Sequence, residues 1–247
     1  MPNLTADTSG NFDDAVLFKT GTNTADVRNA SSATRTNTAT FINVSHGLIF
    51  GSTKAIYRAA LSFDFSGNDD DGGTISGNTV TSANLVIRSM ANLSGFSVVE
   101  AKTDQLIRAC KSTETNAIDG DTYIELDGYV SSGTYDGNVT VYGTANEAAD
   151  ATITFNLNST CISDINSAIG SGGRVTIMLL CQDDFLSNIG TDGLGDPDTG
   201  GLFLKFEGIR MLSTENTTNS SYKPRLELTY GAAAAATDNA TFFGANF

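Results

Sequence analysis

Tyr222-Lys223-Pro224-Arg225-Leu226-Glu227-Leu228-Thr229-Tyr230 alternates apolar and polar side chains behind a proline. Two upstream stretches share the pattern, Tyr57-Arg58-Ala59-Ala60-Leu61-Ser62-Phe63-Asp64-Phe65 and Thr79-Val80-Thr81-Ser82-Ala83-Asn84-Leu85-Val86-Ile87-Arg88. Successive side chains of a strand point to opposite faces, so this period of two marks strands with one buried face. Thr152-Ile153-Thr154-Phe155-Asn156-Leu157 repeats it. The inward positions predicted are Leu61 and Phe63, Leu85 and Ile87, Ile153 and Phe155, Leu226 and Leu228. The expected fold is all-β: a single jelly-roll-type antiparallel β-sandwich over residues 1–230, with one short helix and an extended C-terminal tail over 231–247.

Outward from these anchors, further strands are expected at Ala15–Phe18, 40–50, 96–109, 174–181, 202–206 and 208–213. The middle, roughly 110–150, is looser, with short candidates at Thr122–Leu126 and Asn138–Tyr142. The helix is expected at 160–169, with Thr160 as its cap and Ile162, Ile165 and Ile169 at helical spacing. Gly170 stands where a left-handed residue ends many helices.

Hydrophobic residues make up 40% of the 247 and charged ones 17%, so Asn, Ser, Thr, Asp and Gly carry most of the surface. With 14 Lys+Arg against 28 Asp+Glu the net charge is −14. That charge repels nucleic-acid phosphates and anionic lipid, and it suits divalent cations. No run approaches the ~20 apolar residues that span a membrane, and Met1–Asp7 lacks the basic start and apolar core of a secretory signal. The reading is of a protein with an extracellular composition and no export signal, as expected of a virion component released by lysis. Cys110, Cys161 and Cys181 are too few for a disulfide framework, although a Cys161–Cys181 bridge stays open.

Catalytic motifs are thin. His46 is the single histidine, and its setting in Val44-Ser45-His46-Gly47 reads as an ordinary surface or turn position. Gly170-Ser171-Gly172-Gly173 runs from helix to strand, the wrong order for a phosphate loop. Sequons such as Asn29, Asn138 and Asn219 follow from the Asn and Thr content.

Binding candidates are better marked. Asp192, Asp196 and Asp198 space three carboxylates along a glycine-bearing loop, the kind of oxygen set that calcium takes. Asp69, Asp70 and Asp71 form a second acidic loop. Tyr123, Tyr129 and Tyr135, with Tyr142, gather in the irregular middle as candidate platforms for a glycan. Phe242, Phe243 and Phe247 end the tail beyond Ala232–Ala236, and aromatic anchors of that kind fill pockets on a neighbouring subunit.

Three stretches resemble a known family. Leu61-Ser62-Phe63-Asp64-Phe65-Ser66 with Thr79-Val80-Thr81-Ser82-Ala83-Asn84-Leu85 is similar to the early strands of the DNRLRE domain family. Phe155-Asn156-Leu157-Asn158-Ser159-Thr160 resembles its strand before a helix, and Pro224–Tyr230 its closing strand. The resemblance implies a jelly-roll, carbohydrate-binding-module-like domain of secreted and surface proteins, a form that some virion proteins share. The function expected is non-catalytic: a virion structural protein, in first place a phage capsid decoration protein and after it a tail or fibre component, working as a homo-oligomer or on a capsid lattice. The alternative is a carbohydrate-binding or adhesive module at a cell surface.

Overall fold

The computed structural model describes residues 2–6, 13–37, 40–49, 53–90, 97–100, 106–115, 117–187, 204–215 and 222–232. Two sheets face each other. The smaller holds β1 (Asn3–Thr5), β13 (Arg225–Ala232), β6 (Asn78–Arg88) and β10 (Thr152–Asn156), in that order. The larger runs β7 (Ser97–Glu100), β12 (Leu204–Leu212), β4 (Phe41–Ile49), β5 (Thr53–Asp64), β11 (Arg174–Cys181), β8 (Leu106–Lys111) and β9 (Val141–Asn146). β2 (Ala15–Gly21) also pairs with β5 and carries β3 (Thr34–Thr36). Among the described residues every pairing is antiparallel except that of β7 with β12. The protein is an all-β sandwich, with nine strands in one sheet, a wider array than the eight strands of a jelly roll.

The smaller sheet behaves as its alternation predicts. Leu85, Ile87, Ile153, Phe155, Leu226 and Leu228 lie in the core between the sheets, opposite Leu61 and Phe63 of β5. β10 alternates exposed and buried along its whole length, as a strand with one wet face does. β1 zips the N-terminus to β13, with Leu4 opposite Leu226.

The larger sheet is covered on both faces along β5 and β11. Along β5, Ala59, Leu61 and Phe63 enter the inter-sheet core while Ile56 and Ala60 enter a second core on the outer face. β11 divides in the same way, Val175, Ile177 and Leu179 inward against Met178 and Leu180 outward. Hence Ile177–Cys181 reads as an unbroken apolar run, the mark of a strand covered on both sides. The outer cover is α1 (Thr24–Arg28), the irregular segment after β8 and α3 (Gln182–Leu186).

Local differences from the sequence reading have physical causes. The helix α2 (Ser159–Ser171) starts one residue earlier than expected because Asn158, not Thr160, caps it, its side chain accepting from Cys161 N at 3.1 Å. It ends at Gly172, not Gly170, with φ at 65°. Two more short helices, α1 and α3, accompany it. The single strand expected over 96–109 is two strands, β7 and β8, in different parts of the sheet. Thr122–Leu126 yields a 3₁₀ turn at Asp121–Ile124. Conversely, the two strands expected at 202–213 are one, β12, because Gly208 continues it at φ 134°. A Cβ at Gly208 would meet Val44 O at 2.2 Å, so β12 lies against β4 at a distance only glycine permits.

Candidate functional site

The densest charge network lies in the second core. Just after β11 the chain turns into α3, whose Asp183 and Asp184 are both buried. Asp184 receives a two-pronged grip from Arg58 of β5, Nε to Oδ2 at 2.7 Å and Nη2 to Oδ1 at 2.8 Å. Arg58 also donates to the backbone oxygens of Tyr123 and Arg28 and to Tyr135 OH. Burial opposes its charge, but Asp184 and the two tyrosines outweigh that and hold its pKa well above the ordinary value. Arg28 of α1 adds hydrogen bonds to Asp184 O at 2.7 Å and Gly133 O at 2.5 Å, and its guanidinium lies 3.6 Å from the Tyr135 ring centre. These contacts bind α1, β5, α3 and the irregular segment into one body.

This overturns two sequence readings. Tyr123 and Tyr135 are not glycan platforms: both are fully buried, their rings facing Arg58 and Arg28, and Tyr123 OH donates to Val27 O at 3.1 Å. An arginine beneath a ring is satisfied by the π face, which draws the tyrosines inward. Tyr142 is likewise buried, and Tyr129 is half-buried against Tyr135. Nor is His46 a surface histidine. It is fully buried in β4, its Nε2 2.9 Å from Asp183 Oδ2. The Cys161–Cys181 bridge is also absent, since all three cysteines are free and buried. Cys161 belongs to the first turn of α2 and packs in the inter-sheet core, while Cys181 ends β11. Burial pushes the Cys161 thiol up to about 12 and raises the other two as well, so none is a ready nucleophile.

The Asp69–Asp71 loop acts as a brace. Asp69 Oδ1 accepts from Asp71 N at 3.0 Å and Gly73 N at 2.7 Å, and Oδ2 accepts from Tyr230 OH. Desolvation works against this anion, yet the Tyr230 and amide hydrogen bonds win and lower its pKa. Asp70 Oδ2 accepts from Thr5 N at 2.8 Å and Thr5 Oγ1 at 2.6 Å. The loop thus ties β1 and β13 together, with the Asp69 and Asp70 carboxylates committed to protein donors. Asp192, Asp196 and Asp198, and the tail phenylalanines Phe242, Phe243 and Phe247, lie outside the described residues.

An acidic cluster that sequence reading missed stands where the start of β2 meets the end of β12. One oxygen each from Asp13, Asp14 and Glu215 lies within 4.8 Å of the others. Asp14 is held by Thr214, whose N donates to Oδ2 at 3.0 Å and whose Oγ1 donates to Oδ1. Asp13 Oδ2 accepts a long bond from Asn37 Nδ2 at 3.3 Å. Burial, reinforced by the neighbouring carboxylates, raises Asp13 to about 6 and Asp14 to about 7. Asp14 and Thr214 are 200 residues apart, so no linear motif announces the group.

A cleft of about 400 Å³ opens between α2 and the ends of β8 and β11. Its walls include Lys111, Glu114, Asp164, Ser167, Ser171 and Arg174. Lys111 Nζ pairs with Asp164 Oδ2 at 3.0 Å, and Tyr142 OH donates to the same oxygen at 2.6 Å. Comparison with known protein families and with curated proteins finds no match for this chain.

Proposed function

We propose that the chain is a non-catalytic structural protein of a virion, in first place a capsid decoration protein. The observation that supports a structural role is where its reactive groups are spent. Among the described residues, the histidine, the three thiols and the Arg58–Asp184 pair are sealed inside the fold, holding segments together. An interior so committed suits a rigid module: among the described residues His46 and all three thiols are buried. The virion setting rests on the sequence: a surface of Asn, Ser, Thr and Gly, a charge of −14, and strands resembling a family whose form virion proteins share. On this reading the module works in many copies, on itself or on a capsid lattice.

Mass spectrometry of purified particles from the encoding phage tests it. The chain should be present in tens to hundreds of copies per particle; its absence from the particles would overturn the proposal. The cleft at Lys111 and Asp164 favours one other reading, a carbohydrate-binding module. Selective binding on a glycan array, lost in Lys111→Ala, would put that reading first.

A further inference from the structure

We infer that Asp13, Asp14 and Glu215 form a binding site for a hard divalent cation such as calcium. The inference stands apart from the virion reading and rests on the geometry of this one seam. Oxygens bound to a single calcium ion at about 2.4 Å lie within about 4.8 Å of one another. The three carboxylates meet that limit, one oxygen from each lying within 4.8 Å of the rest. They are oxygen donors throughout, which suits calcium, magnesium or manganese and not the softer metals.

A second observation points the same way. Asp13 is only 8% exposed, and its Oδ1 is sealed from solvent with no donor outside the cluster, where Asp13 and Glu215 can share only a proton; Oε2 of Glu215 is in the same condition. Thr214, by contrast, serves both oxygens of Asp14. A buried carboxylate oxygen without a donor is costly, and in a carboxylate cluster the remedies are a proton or a metal ion. Arg35 brings a positive charge to bear on Asp13, one against three carboxylates. A divalent ion between them neutralises the remainder and gives the two orphaned oxygens a partner. It would also pin the start of β2 to the end of β12, two segments joined here by Thr214 and Asp14.

The test uses the full chain, stripped with chelator at pH 7.5 and then given calcium, magnesium or manganese alone. Millimolar calcium should raise the melting temperature by about 4 °C or more. Asp13→Asn and Glu215→Gln should each abolish that rise. The control is Asp192→Asn/Asp196→Asn/Asp198→Asn, which alters the other acidic loop and should keep it. In native crystals soaked with manganese, an anomalous-scattering peak should lie among Asp13, Asp14 and Glu215, a readout that needs no variant to fold. The inference is overturned if none of the three ions shifts the melt and no peak appears there, which would leave protons as the remedy. It is equally overturned if the rise survives Asp13→Asn, or if only the Asp192 variant loses it.

Discussion

Replacing Arg58 by methionine removes the centre of the second core and leaves a hole of nearly the right shape. The residue is fully buried, and five of its hydrogen bonds go to Asp184, Tyr135 and the backbone oxygens of Tyr123 and Arg28. Breaking a buried ion pair by removing one partner costs about 3–5 kcal/mol, because the other charge stays buried. Asp184 would keep only Arg28, whose Nε lies 3.7 Å from Oδ1. Each stranded backbone oxygen adds roughly 1–3 kcal/mol, and such costs overlap, so about 5 kcal/mol is expected in all. That is a large share of the ~5–15 kcal/mol that holds a domain folded. Urea unfolding followed by far-ultraviolet circular dichroism measures it, and near-ultraviolet dichroism reports whether Tyr123 and Tyr135 keep their rigid setting. The double variant Arg58→Met/Asp184→Leu removes both charges of the pair and should cost less than the two single changes summed, with a coupling of at least ~2 kcal/mol. A cost below ~1 kcal/mol for Arg58→Met, or strictly additive singles, would refute the view that this pair locks α1, β5 and α3 together.

Two further outcomes follow from the same structure. Asp13 is raised to about 6 from 3.8, so the folded state holds a proton that the unfolded state releases, and stability must fall as pH rises from about 4 through about 6. With chelator present, Asp13→Asn should therefore be more stable than the native chain at pH 8 and nearly equal to it at pH 4, as pH-dependent urea melts will show; a difference independent of pH contradicts this. Gly208→Ala should cost more than ~2 kcal/mol, since its φ of 134° and the approach to Val44 O at 2.2 Å both exclude a Cβ, and thermal unfolding measures the loss.

The strands of the smaller sheet were legible in the sequence because each has one wet face. Leu226 and Leu228 alternate with Glu227 and Thr229, and solvent against core is a contrast that composition records directly. That alternation sufficed for the sandwich and the inward positions, and the helical spacing of Ile162, Ile165 and Ile169 for the helix after β10. The larger sheet hides its second contrast. Both faces of β5 and β11 are buried, so their residues show that something covers the outer face without showing what does. The cover is the segment whose tyrosines read as surface platforms. Only a guanidinium from β5 and another from α1, brought beneath their rings, made them core residues.

The same limit explains the sites. Asp69, Asp70 and Asp71 are adjacent in the chain and look like a cation loop, yet the Asp69 carboxylate turns to Tyr230 of β13 and the Asp70 carboxylate to Thr5 of β1. Asp13, Asp14 and Glu215 look like unrelated loop residues, yet the pairing of β4 with β12 and of β2 with β5 brings them within 4.8 Å. Local sequence determines which way each strand's side chains face, because that depends on neighbours two residues away. Which charges meet is decided by strand order across the sheet, since Arg58 and Asp184 are 126 residues apart and only the closed fold makes the desolvated contact that fixes them.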